Sequence, residues 1–129
     1  MLLEELASYL SQQHTALKPG QTLYIGHYPD QPDTIVALYD DGGEASPPGL
    51  EDIRRAVQVV VRGKDYAAVR DLAWHVFRLL DRSPKNLLIL PDGRRVVCKA
   101  RHAPAPLTRD QSGRFLYTFN LSLWTSPEP

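Results

Sequence analysis

The sequence predicts an α+β fold: one mostly antiparallel sheet with two main helices packed on it, in the order α-β-β-β-α-β-β-β. Three observations predict it. Tyr66 to Asp81 carries apolar residues at helical spacing, Val57 to Val61 and Phe115 to Leu123 alternate with the two-residue period of a strand, and Gly- and Pro-rich breaks separate the periodic segments. Runs of strands with helices set among them, rather than a strict βαβ alternation, favour helices segregated onto an antiparallel sheet.

The elements follow in order. Leu3, Leu6 and Leu10, flanked by Leu2 and Tyr9, recur every three to four residues while Glu4, Glu5, Ser8 and Ser11 lie opposite, so Leu2 to His14 reads as an amphipathic helix. Lys18-Pro19-Gly20 stops it, Thr22 to Ile25 begins the first strand, and Pro29 and Pro32 confine the next segment to a loop. Thr34 to Tyr39 is β-branched and apolar almost throughout, which suits a central strand covered on both faces or a strand at a subunit contact. Asp40 to Gly49 (DDGGEASPPG) reads as an exposed or partner-bound loop, because adjacent glycines and adjacent prolines break both periods. Ala56 to Arg62 is a half-buried strand, Gly63 turns the chain, and Asp65 is placed to accept from the free amides of the next helix.

Helix Tyr66 to Asp81 gathers Leu79, Leu72, Val76, Val69, Leu80, Ala73, Tyr66 and Phe77 into one apolar arc, with Arg78, Asp71, Arg82 and His75 opposite. Ser83-Pro84 ends it. Leu87 to Leu90 and Arg95 to His102 form a hairpin around Pro91-Asp92-Gly93, with Val96, Cys98 and Ala100 inward and Arg95, Val97, Lys99 and Arg101 outward. Ala103 to Pro106 is an extended connector and Asp110 to Gly113 a turn. The last strand sets Phe115, Tyr117, Phe119, Leu121 and Leu123 on one face and Thr118, Asn120, Ser122 and Trp124 on the other. Residues 1–125 are expected to form one domain and 126–129 a loose tail.

With 129 residues, 43% of them hydrophobic and 23% charged, the chain has ordinary globular composition and can bury a core. Fifteen basic residues balance fifteen acidic ones, so no net field draws it to nucleic acid or an anionic membrane. A single cysteine excludes an internal disulfide, and MLLEELASYL carries two glutamates where a signal peptide would carry lysine or arginine; a cytosolic setting, or a particle assembled there, is expected. No apolar run approaches the roughly 20 residues that span a bilayer.

Little points to chemistry. His14, His27, His75 and His102 are far apart in sequence, and none has a second ligand at metal-site spacing. Asp71 and His75 are placed to meet as an exposed helix pair, and Cys98 reads as a small core hydrophobe. There is no nucleophile elbow, phosphate loop or dinucleotide fingerprint, and Gly42-Gly43 reads as a turn with positive φ. No enzyme, cofactor or metal is expected. Trp74, projecting between Arg70, Arg78 and Asp81 outside the apolar arc, lies either at the edge of the core or in a subunit contact; Trp124, on the polar face of its strand, poses the same choice. Arg70, Trp74, Arg78 and Trp124 are therefore the candidate interface residues.

Taken together, LLEELASYL, LYIGHYPDQPD, VALYDDGG, VQVVVRGKDY and the helix after it, and the closing DQSGR before an aromatic strand resemble the phage minor capsid protein family, which is similar to the tail-terminator and tail-completion proteins of long-tailed bacteriophages. The resemblance implies a virion structural protein of the tail and neck, assembled in the host cytoplasm, without cofactor or catalytic residues. It implies a ring, usually six-membered, at the head-proximal end of the tail tube, contacting the major tail-tube protein and a neck or head-completion protein while DNA passes through its lumen without sequence-specific binding. A ring subunit needs unlike side surfaces and unlike axial faces. Asp40, Asp41, Gly42, Gly43 and Glu44 in one predicted loop, and Arg109 and Asp110 in another, are the candidate axial docking residues.

A tail-to-head joining or head-closure ring would use the same fold. From another class, a small oligomeric ligand-binding α+β domain would show a pocket lined by convergent polar groups, and an enzyme would show clustered titratable pairs.

Overall fold

The two alternating segments at the centre of the chain pair with each other, and the rest of the sheet grows from that pair. In the computed structural model, which describes residues 2–44, 53–81 and 87–125, the elements are α1 (Leu2–Gln13), β1 (Leu23–Ile25), β2 (Ile35–Glu44), β3 (Ile53–Gly63), α2 (Tyr66–Leu80), β4 (Leu87–Ile89), β5 (Arg95–Ala100), β6 (Ala105–Pro106) and β7 (Phe115–Thr125). They form a seven-stranded sheet of order β1-β2-β3-β7-β5-β4, with β6 also on β7. β3 and β7 run antiparallel in unbroken register from Ile53↔Thr125 to Gly63↔Phe115.

The sheet is mixed, a correction to the antiparallel expectation: β1 and β2 are parallel, Leu23 opposite Val36 and Ile25 opposite Leu38. Parallel neighbours normally need a long crossover. Here β1 is only three residues long, so the return distance is small and residues 26–34, with Pro29 and a cis Gln31–Pro32 bond, cover it without a helix. The connector expected at Ala103 to Pro106 also adds a short strand, Ala105 pairing with Thr118.

Asp40 to Glu44 corrects a second expectation. β2 continues through these residues, and the register passes from Asp40↔Val57 to Gly43↔Arg55 and Glu44↔Arg54. Asp41 and Gly42 form a β-bulge: Gly42 takes φ +88°, its amide donates to Asp40 Oδ1 at 3.0 Å, and Arg55 Nη2 donates to Asp40 Oδ2 at 2.9 Å. The glycine supplies the left-handed conformation a bulge requires. The remainder of the expected loop, residues 45–49, lies outside the described residues, as do Ser83-Pro84 and the tail at 126–129.

Both helices pack on one face. From α1, Leu2, Leu6, Ala7, Tyr9 and Leu10 are buried, and from α2, Val69, Ala73, Val76 and Leu80. They join Val36, Leu38, Val57, Val59, Val61, Val96, Cys98, Phe119, Leu121 and Leu123 in a single core. Asp65 caps α2, its side chain accepting from the Ala68 amide. Gly63 serves less as a turn than as a point of close approach, since a Cβ there would stand 2.7 Å from Val69 Cγ2. Tyr66, placed in the apolar arc by its spacing, lies instead at the margin and is exposed. On the opposite sheet face, Ile35 and Ala37 are also buried, so the Ile35–Leu38 stretch of β2 is covered on both faces within one chain.

Candidate subunit contact surfaces

On the solvent side of α2, arginines alternate with aromatic rings. Arg109 sits over Phe115 with its guanidinium carbon 4.2 Å from the ring centroid, Phe115 meets Tyr66 edge-on at 5.4 Å, and Arg70 stacks on Tyr66 at 5.9 Å. One turn on, Arg78 lies 5.7 Å from the centroid of Trp74, whose other edge rests on Phe77 at 5.3 Å. Helical spacing makes this possible: residues 66, 70, 74 and 78 are four apart and stack along one line. A shallow groove lined by Arg70, Asp71, Trp74 and Arg78 runs along it. Trp74 is half-buried, so it is at the edge of the core and still presents a face to solvent. Cations within about 6 Å of a ring are held by its quadrupole, which orders the side chains before any partner arrives.

Trp124 belongs to a different surface. Phe77 of α2 packs on Phe119 at 5.5 Å; Trp124 has the opposite parity on β7 and projects from the other face of the sheet, so the structure does not bring the two tryptophans together. Trp124 stands opposite Val97, and Val97 opposite Leu87, in one row across β7, β5 and β4. These side chains and Ile89 in the next row are all exposed, Trp124 at 39% and Ile89 at 55%. On its other side Trp124 pairs with Arg54 of β3, which in turn pairs with Glu44 of β2. The apolar row and the bulged end of β2 therefore share one end of the sheet.

The best-built polar cluster escaped the sequence reading. Arg62, 1% exposed, projects from β3 under the β1–β2 connection. Its Nε donates to Asp33 O at 3.0 Å and its Nη2 to the carbonyls of Pro29, Asp30 and Pro32 at 3.0, 3.3 and 2.6 Å, while Tyr28 stacks on it at 5.0 Å. Beside it Arg114, 5% exposed, pairs with Asp30, Asp33 and Asp110 at 2.8, 3.3 and 2.8 Å and donates to the Asp30 carbonyl. Burial, with the Arg114 charge next to it, holds the Arg62 pKa below its usual range. Burial works to raise the carboxyls of Asp33 and Asp110, but hydrogen bonds and charge from Lys64 and Arg114 for Asp33, and from Arg114 for Asp110, outweigh it and hold both below the usual carboxylate range. Arg62 Nε and Nη2 and all three guanidinium nitrogens of Arg114 donate to the chain itself: the cluster is a clamp on the connection and on the Asp110–Gly113 turn. Asp110, expected at an axial docking loop, is thus committed to Arg114 and to the amides of Ser112 and Arg114. The visible signals were an arginine directly after the apolar Val59–Val61 run and the Asp110–Arg114 spacing.

Two smaller corrections concern histidine. His14 and His75, distant in sequence, meet edge-on at 4.9 Å because the end of α1 lies against α2. Asp71 is drawn to Arg70 Nε at 3.3 Å rather than to His75. Burial, then the charges of His14 and Arg78, lower the His75 pKa. Among the described residues no group of three His, Cys, Asp or Glu side chains is placed to hold a metal ion, and no helix is long and apolar enough to cross a membrane.

A family model described as bacteriophage tail terminator protein matches residues 9–124. The chain belongs to the bacteriophage tail terminator family. This is a family of structural components of the virion tail rather than of enzymes, and the match takes in β1 to β6, all of α2, and β7 as far as Trp124. No curated protein matches the chain in sequence. A solved structure of a protein without a functional name superposes with a TM-score of 0.59, covering 98% of this chain and 92% of that one at 16% identity. At that identity the likeness shows a shared fold alone.

Proposed function

We propose that this tail terminator family member acts as a six-membered ring at the head-proximal end of the tail tube, where it stops tube polymerisation and presents a docking surface to the neck. The family match over residues 9–124 carries the reading. Arg70, Trp74 and Arg78 on one side and Trp124 with its apolar row on the other provide the two unlike surfaces a head-to-tail ring requires. Arg109, at the margin of the α2 strip, is the candidate residue for the axial face that meets the tube or the neck. A chain of zero net charge suits a conduit in which DNA must slide, because many lysine contacts to phosphate would hold it.

The test is electron microscopy of lysates from a phage lacking this gene. Loss of a terminator leaves tubes that outgrow their set length and fail to join filled heads. Tails of normal length that remain unattached, or heads that leak DNA, would instead assign the chain to a joining or closure ring and overturn the terminator reading.

A further inference from the structure

Among the described residues, two of the outer strands of the sheet, β1 and β6, are closed to further pairing. Leu23 of β1 donates its amide to the Lys18 carbonyl at 3.2 Å, and its own carbonyl accepts from the Gly20 amide at 2.9 Å. His27 Nδ1 lies 3.2 Å from the Ile25 carbonyl. Beside β7, the Leu107 amide donates to the Leu116 carbonyl, so residues 105 and 107 turn their backbone groups towards β7 and residues 104 and 106 turn theirs away. Both of the latter are proline and have no N–H to offer.

β4 is built differently. It ends the strand order, and the Leu90 amide donates to the Arg94 carbonyl. In the same ladder Leu88 then bonds with Val96, and the N–H and C=O groups of Leu87 and Ile89 point away from β5. Neither proline nor charge guards this edge: the strand reads Leu-Leu-Ile, with Leu87 37% and Ile89 55% exposed. Folded proteins usually cover such an edge or break it up. At three residues it sets the register of an added strand through few backbone bonds, while the Leu87 and Ile89 side chains supply apolar contact. The edge groups lie in the plane of the sheet and the Trp124 row stands out of it, so a neighbour resting on the row leaves the edge free.

We infer that β4 receives an extended segment of a different protein, added as a further strand, whose side chains beside Leu87 and Ile89 are apolar and acidic. Three features select this occupant. Backbone groups at ladder spacing fit another backbone rather than a nucleic acid. A second copy of this chain has neither β1 nor β6 to give, and β4 against β4 would gather Arg95 and Lys99 of both copies in one two-fold contact. Those cations are exposed and flank the edge, Arg95 opposite Ile89 and Lys99 the next outward residue after Val97. No Asp or Glu occurs in β4, β5 or β7 to answer them, and Asp92, in the hairpin turn, accepts from the Arg94 amide at 2.9 Å. The inference goes beyond the ring reading: it rests on the place of the family in the virion tail, and a ring can close with the β4 edge empty.

The experiment complements a phage deleted for this gene with full-length variants and reads plaque titre, alongside thermal melting of each purified chain. Ile89→Pro withdraws one outward N–H, where an edge strand tolerates proline, and leaves the Leu88–Val96 pair alone. Ile89→Thr keeps the N–H and a β-branched side chain. Both are expected to melt with the wild type. The proline variant is expected to lower titre by about tenfold or more, one backbone hydrogen bond lost from the contact, and the threonine variant to stay within about threefold. Arg95→Glu with Lys99→Glu is expected to lower titre by about tenfold. A wild-type titre for Ile89→Pro or for the charge reversal, or equal losses for proline and threonine, overturns the inference. Should either variant fail to fold, a cryo-EM map of the wild-type tail end decides. A strand of another protein about 4.8 Å from β4 upholds the inference, and an open edge, a second copy of this chain or DNA at β4 overturns it. The presence or absence of a ring in the same map judges the ring reading separately.

Discussion

Arg62 Nη2 donates to the carbonyl of Pro32 at 2.6 Å, from a side chain rooted near the end of the central strand β3 to the loop that joins β1 to β2. Four backbone carbonyls of that loop depend on the same guanidinium, and they bridge a parallel β1–β2 pair that would otherwise lack a crossover helix. Arg62→Met keeps the stem and removes the donors. Each buried acceptor left without a partner costs about 1–3 kcal/mol, and some of these reach water, so urea unfolding is expected to show a loss of about 2 kcal/mol or more. A change within about 0.5 kcal/mol, the range of an ordinary surface substitution, would show that the clamp is not needed.

The neighbouring cluster sets an acid limit. Asp33 and Asp110 are held below the ordinary carboxylate value in the folded chain. A depressed folded pKa means the contribution to stability is complete above the unfolded value, near 4, and is lost as pH falls through the folded value. Asp110→Asn retains the acceptor for the Ser112 and Arg114 amides and removes the charge. Its melting temperature is therefore expected to fall less steeply than that of the wild type between about pH 4 and pH 2. Parallel slopes in the two proteins would sink the idea.

Most of the scaffold was legible in the sequence because its signals are local. The arc of α2, the alternation of β3 and β7, the Asp65 cap and the inward Val96 and Cys98 all follow from periodicity, and side-chain period fixes them without knowledge of the partner strand. What was not legible depends on pairs far apart in the chain. The direction of β1 is set by residues 26–34 returning over a strand of three residues, which local pattern cannot show. Gly42-Gly43 reads as a turn until β3 is seen alongside, when it becomes a bulge that lets β2 continue. The Arg62 clamp and the His14–His75 contact likewise join residues separated by roughly thirty to sixty positions. Trp74 was recognisable as anomalous in its helix; that it and Trp124 lie on opposite sides of the sheet needed only parity and the face on which α2 packs.

Cys98 is fully buried on β5 opposite Leu123. Burial, with the Asp81 carboxylate nearby, pushes its thiol up to about 12. At pH 8 the thiolate fraction is then on the order of one in ten thousand, and the reagent has no path to it. Native protein is expected to resist an aromatic disulfide reagent for as long as it stays folded, and to titrate one thiol at once in urea. Rapid labelling under native conditions would mean that the β5–β7 pairing opens locally.

The exposed row at Trp124 separates two explanations by their size. If Trp124 and Val97 matter only to each other, as an aromatic facing a β-branched residue across neighbouring strands, truncating them costs roughly 0.2–1 kcal/mol of folding stability and nothing else. If they line a contact, a tryptophan truncation removes about 2 kcal/mol or more of association free energy, which is roughly a thirtyfold change in affinity. Trp124→Ala with Val97→Ser is expected to fold, to lose about 1 kcal/mol or less in urea, and to lower the titre of a complemented deletion phage by more than about tenfold. The comparison of the two readouts decides it: a titre equal to wild type, alongside the small stability loss, would reduce Trp124 to one half of a surface cross-strand pair.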